Sequence, residues 1–202
     1  MAISSNSIIH YTNKLENIKG ILENLGFRLK YCSEGLIINN TPTPLAVPMV
    51  CFCDIPLSEV KNHMDSYGSY GIGFYKSWAK DKGLNPVLYI EGKSETSKNL
   101  EAVIKKLAKD QRENKMDQEL ATTIIRFIQF CKNYEGPLKT EKIDKTDYIF
   151  YNEREWRYVP SEESLKGANS ILNIKDYNKD KSSWNEKLKN IYLKYAIEDI
   201  LI

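Results

Sequence analysis

Apolar residues recur along this chain with two periods, and the switches between them mark its elements. A short β-rich run, Ile8 to Thr12, predicts a first strand. It gives way to Leu15, Ile18, Leu22 and Leu25 at helical spacing, with Asn13 placed to cap, Glu16 in the first turn and Gly26 to end the helix. Residues 39–48 hold Asn39, Asn40, Pro42, Pro44 and Pro48, which predicts a connecting loop before a strand from Met49 to Cys53. Pro56 suits the first turn of a short helix reaching about Met64. Gly68, Gly71 and Gly73 then mark a turn running into a strand Ile72–Tyr75, and a further strand, Val87–Glu91, follows Asn85-Pro86.

The middle of the chain is helical by pattern. Leu100, Val103, Ile104 and Leu107 form one amphipathic stripe; Leu120, Ile124, Phe127, Ile128 and Cys131 form another. From Tyr148 to Val159 the pattern returns to strand and Pro160 closes it, after which Ser183 and Glu186 suit a capping box for a last helix carrying Trp184, Leu188, Ile191 and Tyr195. Strands and helices in this order predict an α+β domain.

Composition adds boundaries. A chain of 202 residues with 42% hydrophobic and 28% charged residues is long enough for one substantial core, and wholesale disorder is excluded. With 29 basic and 27 acidic residues the formal charge is +2, so no overall field attracts nucleic acid, and no basic aromatic stripe replaces it. The four cysteines, Cys32, Cys51, Cys53 and Cys131, form no metal-spaced pair, and with two histidines a zinc site is not expected. Reduced thiols, the lack of a basic and apolar leader, and the lack of an apolar run of about 18 residues predict a cytoplasmic protein with no membrane segment.

The most informative stretch is Tyr151-Asn152-Glu153-Arg154-Glu155-Trp156-Arg157-Tyr158-Val159. On a single strand Glu153, Glu155 and Arg157 share one face, while Asn152, Arg154, Trp156 and Tyr158 share the other. Neighbouring carboxylates repel unless a cation or ligand compensates, and Arg157 is one such cation. The plainer reading is a solvated charge ladder on an edge strand. The chemical reading is a carboxylate pair that stabilises positive charge developing on a sugar. A second stretch, His63 to Trp78, has glycines in the wrong place for a dinucleotide fingerprint, yet they permit close backbone approach beside the flat faces of Tyr67 and Tyr70. Those glycines also suit nothing more than a tight turn. His10, at the end of the first strand, suits either a hydrogen-bonded structural role or a ligand contact. Neither a nucleophile elbow nor a P-loop is present.

Three stretches together resemble the AbiGi family of abortive-infection proteins: Ile9-His10-Tyr11-Thr12 with the helix ending Leu25-Gly26-Phe27, then Pro48 to Ser58 (PMVCFCDIPLS), then Glu153 to Arg157 (EREWR). The resemblance implies a phage-defence role, described for the family as the antitoxin of a two-gene system whose partner is a nucleotidyltransferase-like toxin encoded nearby. It implies one domain over residues 1–202, with a helical insertion at about 97–133, and reads the final Ile200-Leu201-Ile202 as the start of a last strand in a chain shortened relative to its relatives. The order of elements is also similar to the ADP-ribosyltransferase fold, a split mixed β-sheet flanked by helices that binds NAD as co-substrate.

That second resemblance implies site roles. His10, with Tyr11 and Thr12, would contact the adenosine ribose, Tyr67 or Tyr70 would stack on nicotinamide, and Arg157 would steady a carboxylate or a phosphate. Glu155 would be the catalytic carboxylate, Glu153 would face a macromolecular acceptor, and His10 completes the catalytic set. On this expectation Glu155→Gln abolishes transfer and leaves the fold intact. The alternative is a catalytically idle antitoxin that binds its toxin through a surface.

Overall fold

The computed structural model describes residues 6–139 and 144–201. In chain order the elements begin β1 (Ser7–Thr12), α1 (Leu15–Glu23), β2 (Gly26–Arg28), β3 (Lys30–Ile38) and β4 (Thr41–Cys53). A 3-10 turn at Leu57–Glu59 leads into α2 (Lys61–Tyr67), β5 (Tyr70–Tyr75), α3 (Lys76–Asp81), β6 (Asn85–Pro86) and β7 (Leu88–Ile90). Then come α4 (Glu95–Arg112), α5 (Gln118–Ile128), β8 (Cys131–Asn133), β9 (Glu135–Lys139) and β10 (Asp144–Ile149). A 3-10 turn at Phe150–Glu153 precedes β11 (Glu155–Tyr158), β12 (Leu172–Asn173), α6 (Ile174–Lys179), α7 (Lys181–Glu186) and β13 (Tyr192–Lys194).

β4 organises this α+β arrangement. Its first nine residues pair with β3, from Ile38↔Thr41 to Lys30↔Met49, and its last four pair with β11, from Tyr158↔Val50 to Glu155↔Cys53. β1 meets β4 only at Ile9↔Cys53 before running beside β5, giving the order β5-β1-β4-β11-β6. The sheet therefore forks along β4. Behind it Phe27, Phe52, Phe74, Trp78 and Tyr195 interlock, with Phe74 and Trp78 stacked at 4.3 Å and Phe27 and Phe52 edge to face at 5.0 Å. α4 and α5 form the crossover between β7 and β8, which pair in parallel, as such a connection requires. They have their own small core of Leu36, Ile38, Ile90, Leu100, Ile128 and Cys131. Among the described residues no helix is long and apolar enough to cross a membrane.

Five expectations are corrected. Residues 39–48 are not a loop: Asn39 (φ 45°) and Asn40 (φ 60°) form a two-residue hairpin turn, and β4 runs straight through the prolines. Pro42, Pro44 and Pro48 fall on alternate residues, so all three lack a donor on the same edge, and the ladder to β3 stays in register. At the end of α1, Leu25 (φ 43°) takes the left-handed position expected of Gly26, while Asn13 makes no cap and Lys14 stands at the helix start. Tyr148–Val159 is not one strand, because the 3-10 turn and a left-handed Arg154 (φ 45°) separate β10 from β11. The last helix is short, capped by Asp180 rather than Ser183, with Leu188, Ile191 and Tyr195 beyond it but still buried in the main core. The final strand expected at Ile200 is reduced to a single bridge to Phe74, and Ile202 lies outside the described residues.

Candidate functional site

At the fork of the sheet a cavity of about 800 Å³ opens between β1, β3 and the last residues of β4. α2 and β8 close its far wall with Tyr67 and Lys132, and the turn before β11 delivers Glu153. The break in the predicted strand matters here. Glu155 and Arg157 share a face of β11 by alternation, but Glu153 reaches the same place only because the 3-10 turn and the left-handed Arg154 fold it back.

These side chains form a buried chain of charges. Arg157, 1% exposed, donates from Nε to Glu155 Oε1 at 2.8 Å, from one terminal nitrogen to Glu34 at 2.6 Å and from the other to the Gln129 carbonyl at 2.5 Å. Lys132 Nζ donates to Glu155 Oε2 at 2.7 Å and to Glu153 Oε2 at 2.8 Å, over the Phe150 ring at 4.9 Å. Tyr67 donates its hydroxyl to the other oxygen of Glu153, and the Cys51 thiol hydrogen-bonds Glu155. The Glu155 backbone N–H is held by the Tyr89 hydroxyl at 2.8 Å. Glu153 and Glu155 are 4% and 5% exposed, so the solvated-ladder reading is overturned.

The same burial moves the two carboxyls apart. Burial would raise Glu155, but Arg157 and Lys132 outweigh it and hold the group below the usual carboxylate range. Burial raises Glu153, and Lys132 with Tyr67 only partly offsets it. One member of the pair is a fixed anion; the other is the member that holds a proton more readily.

His10 lines the cavity with its Nδ1 at 2.8 Å from the Cys51 carbonyl, which can only accept, so the proton sits on Nδ1 and Nε2 carries the acceptor lone pair. Burial lowers its pKa, and Phe27 and Phe52 pack edge-on against the ring. His63 packs at a tilt against Tyr67 at 4.7 Å and meets Tyr11 edge to face at 5.2 Å; burial, helped by the charge of Lys132, lowers it to about 4.

The cavity thus gathers His10, Tyr11, Tyr67, Glu153 and Glu155 on one surface. It does not gather the others. Tyr70 lies on β5, 43% exposed and off the cavity wall; Thr12 is buried, its hydroxyl accepting from Asn17 at 2.6 Å; Arg157 sits behind Glu155 and does not reach the opening.

A family profile described as "Putative abortive phage resistance protein AbiGi, antitoxin" matches residues 27–202, the span that holds Tyr67, Lys132, Glu153, Glu155 and Arg157. The chain belongs to the AbiGi family. It is similar to the abortive phage resistance protein AbiGi of Lactococcus lactis subsp. cremoris, 30% identical over 147 residues, which are 65% of this chain and 59% of that protein. The chain therefore spans less than two thirds of that relative's length. No solved structure matches it. The AbiGi match begins after β1, so His10 and Tyr11 belong to the site by geometry rather than by the profile.

Sequence reasoning missed Lys132, Glu34 and Tyr89 in this AbiGi site and left His63 open between a structural role and a ligand contact. Lys132 carries no motif; its one signal is a lysine set between Cys131 and Asn133 where the helical stripe ends, and only the parallel pairing of β8 with β7 turns it inward. Glu34 lies 123 residues before the Arg157 it binds, a separation no local pattern reports.

Proposed function

We propose that this AbiGi domain is an ADP-ribosyltransferase-like protein that takes ADP-ribose from NAD to a macromolecular acceptor during abortive infection. The observation that carries the reading is the carboxylate pair on the cavity wall: Glu155 held as an anion between two cations, Glu153 raised toward proton exchange. Breaking the bond between ribose and nicotinamide leaves positive charge on the sugar carbon, and a fixed buried anion stabilises such charge. Nicotinamide departs with the electron pair of that bond. The acceptor's oxygen or nitrogen then bonds to the same carbon, and its proton passes to Glu153. Arg28 and Lys30 line the same cavity and supply positive charge for a diphosphate, and the forked sheet and element order favour the ADP-ribosyltransferase-like arrangement.

Calorimetry with NAD and label transfer from NAD into cell extract test this. The expected result is NAD binding, transfer by the wild type, and a loss of transfer of about 10²-fold or more in Glu153→Gln with binding kept. A wild-type protein that neither binds NAD nor transfers label overturns the reading.

One observation favours a second reading, an antitoxin that works by binding a cognate toxin. Both oxygens of Glu155 are already ion-paired, which weakens it toward a ligand's charge, and the family description ends in "antitoxin". Co-expression with a neighbouring nucleotidyltransferase-like gene product decides it: rescue of growth with co-purification supports the antitoxin role, and failure of both removes it.

A further inference from the structure

The buried chain holds three carboxylates, Glu34, Glu155 and Glu153, against two cations, Arg157 and Lys132. Arg157 serves Glu34 and Glu155; Lys132 serves Glu155 and Glu153. Glu153 is therefore the end of the chain among the described residues, and Lys132, the cation it pairs with, is one it shares. The Lys132 ammonium has little freedom to do anything else. Its two carboxylate bonds are 2.7 and 2.8 Å long, the Phe150 ring lies under it, and its side chain is 10% exposed.

We propose that Lys132 is a positioning residue whose single ammonium clamps Glu153 and Glu155 into one proton-exchanging unit. This deepens the transferase reading, because that reading requires the two carboxylates to differ in charge while standing side by side. Glu153 is faced by Lys132 from β8, Glu155 from β11, Tyr67 from α2 and Tyr148 from β10, while His63 adds its ring near Lys132 and Glu155. Among these, Lys132 is the group that bonds both carboxylates. Without it the cation left beside the two acids among the described residues is Arg157, which touches Glu155 alone of the pair, and like-charge repulsion drives a proton onto Glu153.

The test uses the ligand-free protein, so it does not depend on NAD. Glutamate carboxyls labelled with carbon-13 and lysine ammonium groups labelled with nitrogen-15 are titrated by NMR. In the wild type the Lys132 Nζ resonance is expected to move with the Glu153 midpoint. In Lys132→Met the Glu153 midpoint is expected to rise by about 1–3 pH units and Glu155 to rise with it, and Lys132→Arg is expected to restore most of both shifts. Midpoints that stay put in a folded Lys132→Met protein overturn the proposal. Should that variant not fold, the wild-type measurement decides alone, and an Nζ resonance indifferent to Glu153 overturns it. A protein with the linked titration but no NAD binding keeps the clamp and loses the transferase reading; NAD binding without the linkage does the reverse.

Discussion

Glu155 is gripped by Arg157 and Lys132 on its two oxygens, and that grip decides what its loss does. A glutamine has nearly the same shape but no charge, so Glu155→Gln leaves two buried cations without their shared anion. The expected outcome is a loss of about 3 kcal/mol or more in urea unfolding, in place of the intact fold that the sequence suggests. Glu153→Gln is expected to be milder, since Glu153 pairs with Lys132 alone among the described residues whereas Glu155 pairs with both Lys132 and Arg157. Equal stability of the two variants would count against the grip. At this scale the sequence displays residue types but not partners: Glu153, Glu155 and Arg157 stand out by spacing, whereas Lys132 looks like any other lysine until β8 carries it over the Phe150 ring.

Among the elements, α2 is placed by one residue. Gly68 closes it at φ 115°, and a Cβ added there would lie 2.3 Å from the backbone carbonyl carbon and oxygen of Thr12. Backbone cannot yield as a side-chain tip does. Gly68→Ala is expected to cost about 2 kcal/mol or more in thermal or urea unfolding and to pull Tyr67 off Glu153. Gly20→Ala is the control: a Cβ in the middle of α1 meets nothing within 4 Å, so this change is expected to stabilise by about 0.4–1 kcal/mol. Loss at Gly20, or none at Gly68, would contradict the packing. Elements with strong periodicity, such as α4, α5 and β1, were legible because their apolar spacing is local. The end of β4 from Met49 to Cys53 was legible too, but its first part, Thr41 to Pro48, was not, because prolines signal a break unless their missing donors all face away from the pairing strand, and only the register with β3 shows that they do.

For the whole molecule, burial of both histidines makes the fold acid-sensitive. His63 titrates at about 4 in the fold against 6.5 as its ordinary value, and His10 is lowered as well. Between those values the unfolded chain binds more protons, so stability rises with pH and is lost as pH falls from 6.5 toward 4. Glu155 extends the loss to lower pH, since its folded pKa is depressed; Glu153, raised in the fold, acts in the opposite sense and loses its contribution as pH rises through its midpoint. The His63 contribution is on the order of 3 kcal/mol across the window. Urea midpoints followed over this range are expected to slope less in His63→Gln than in the wild type, and matching slopes would contradict the buried neutral imidazole. The sequence by itself determined the α+β mixture, the helical stretch between β7 and β8 and the family resemblance that the profile match then bore out, because periodicity and short motifs are properties of neighbouring residues. Only the tertiary structure decided that Glu153 folds back beside Glu155, that Lys132 and Glu34 complete the charge chain, and that His10 shares their cavity. The Glu34–Arg157 link alone joins residues 123 positions apart, and a buried charge is defined by what surrounds it rather than by what precedes it in the chain.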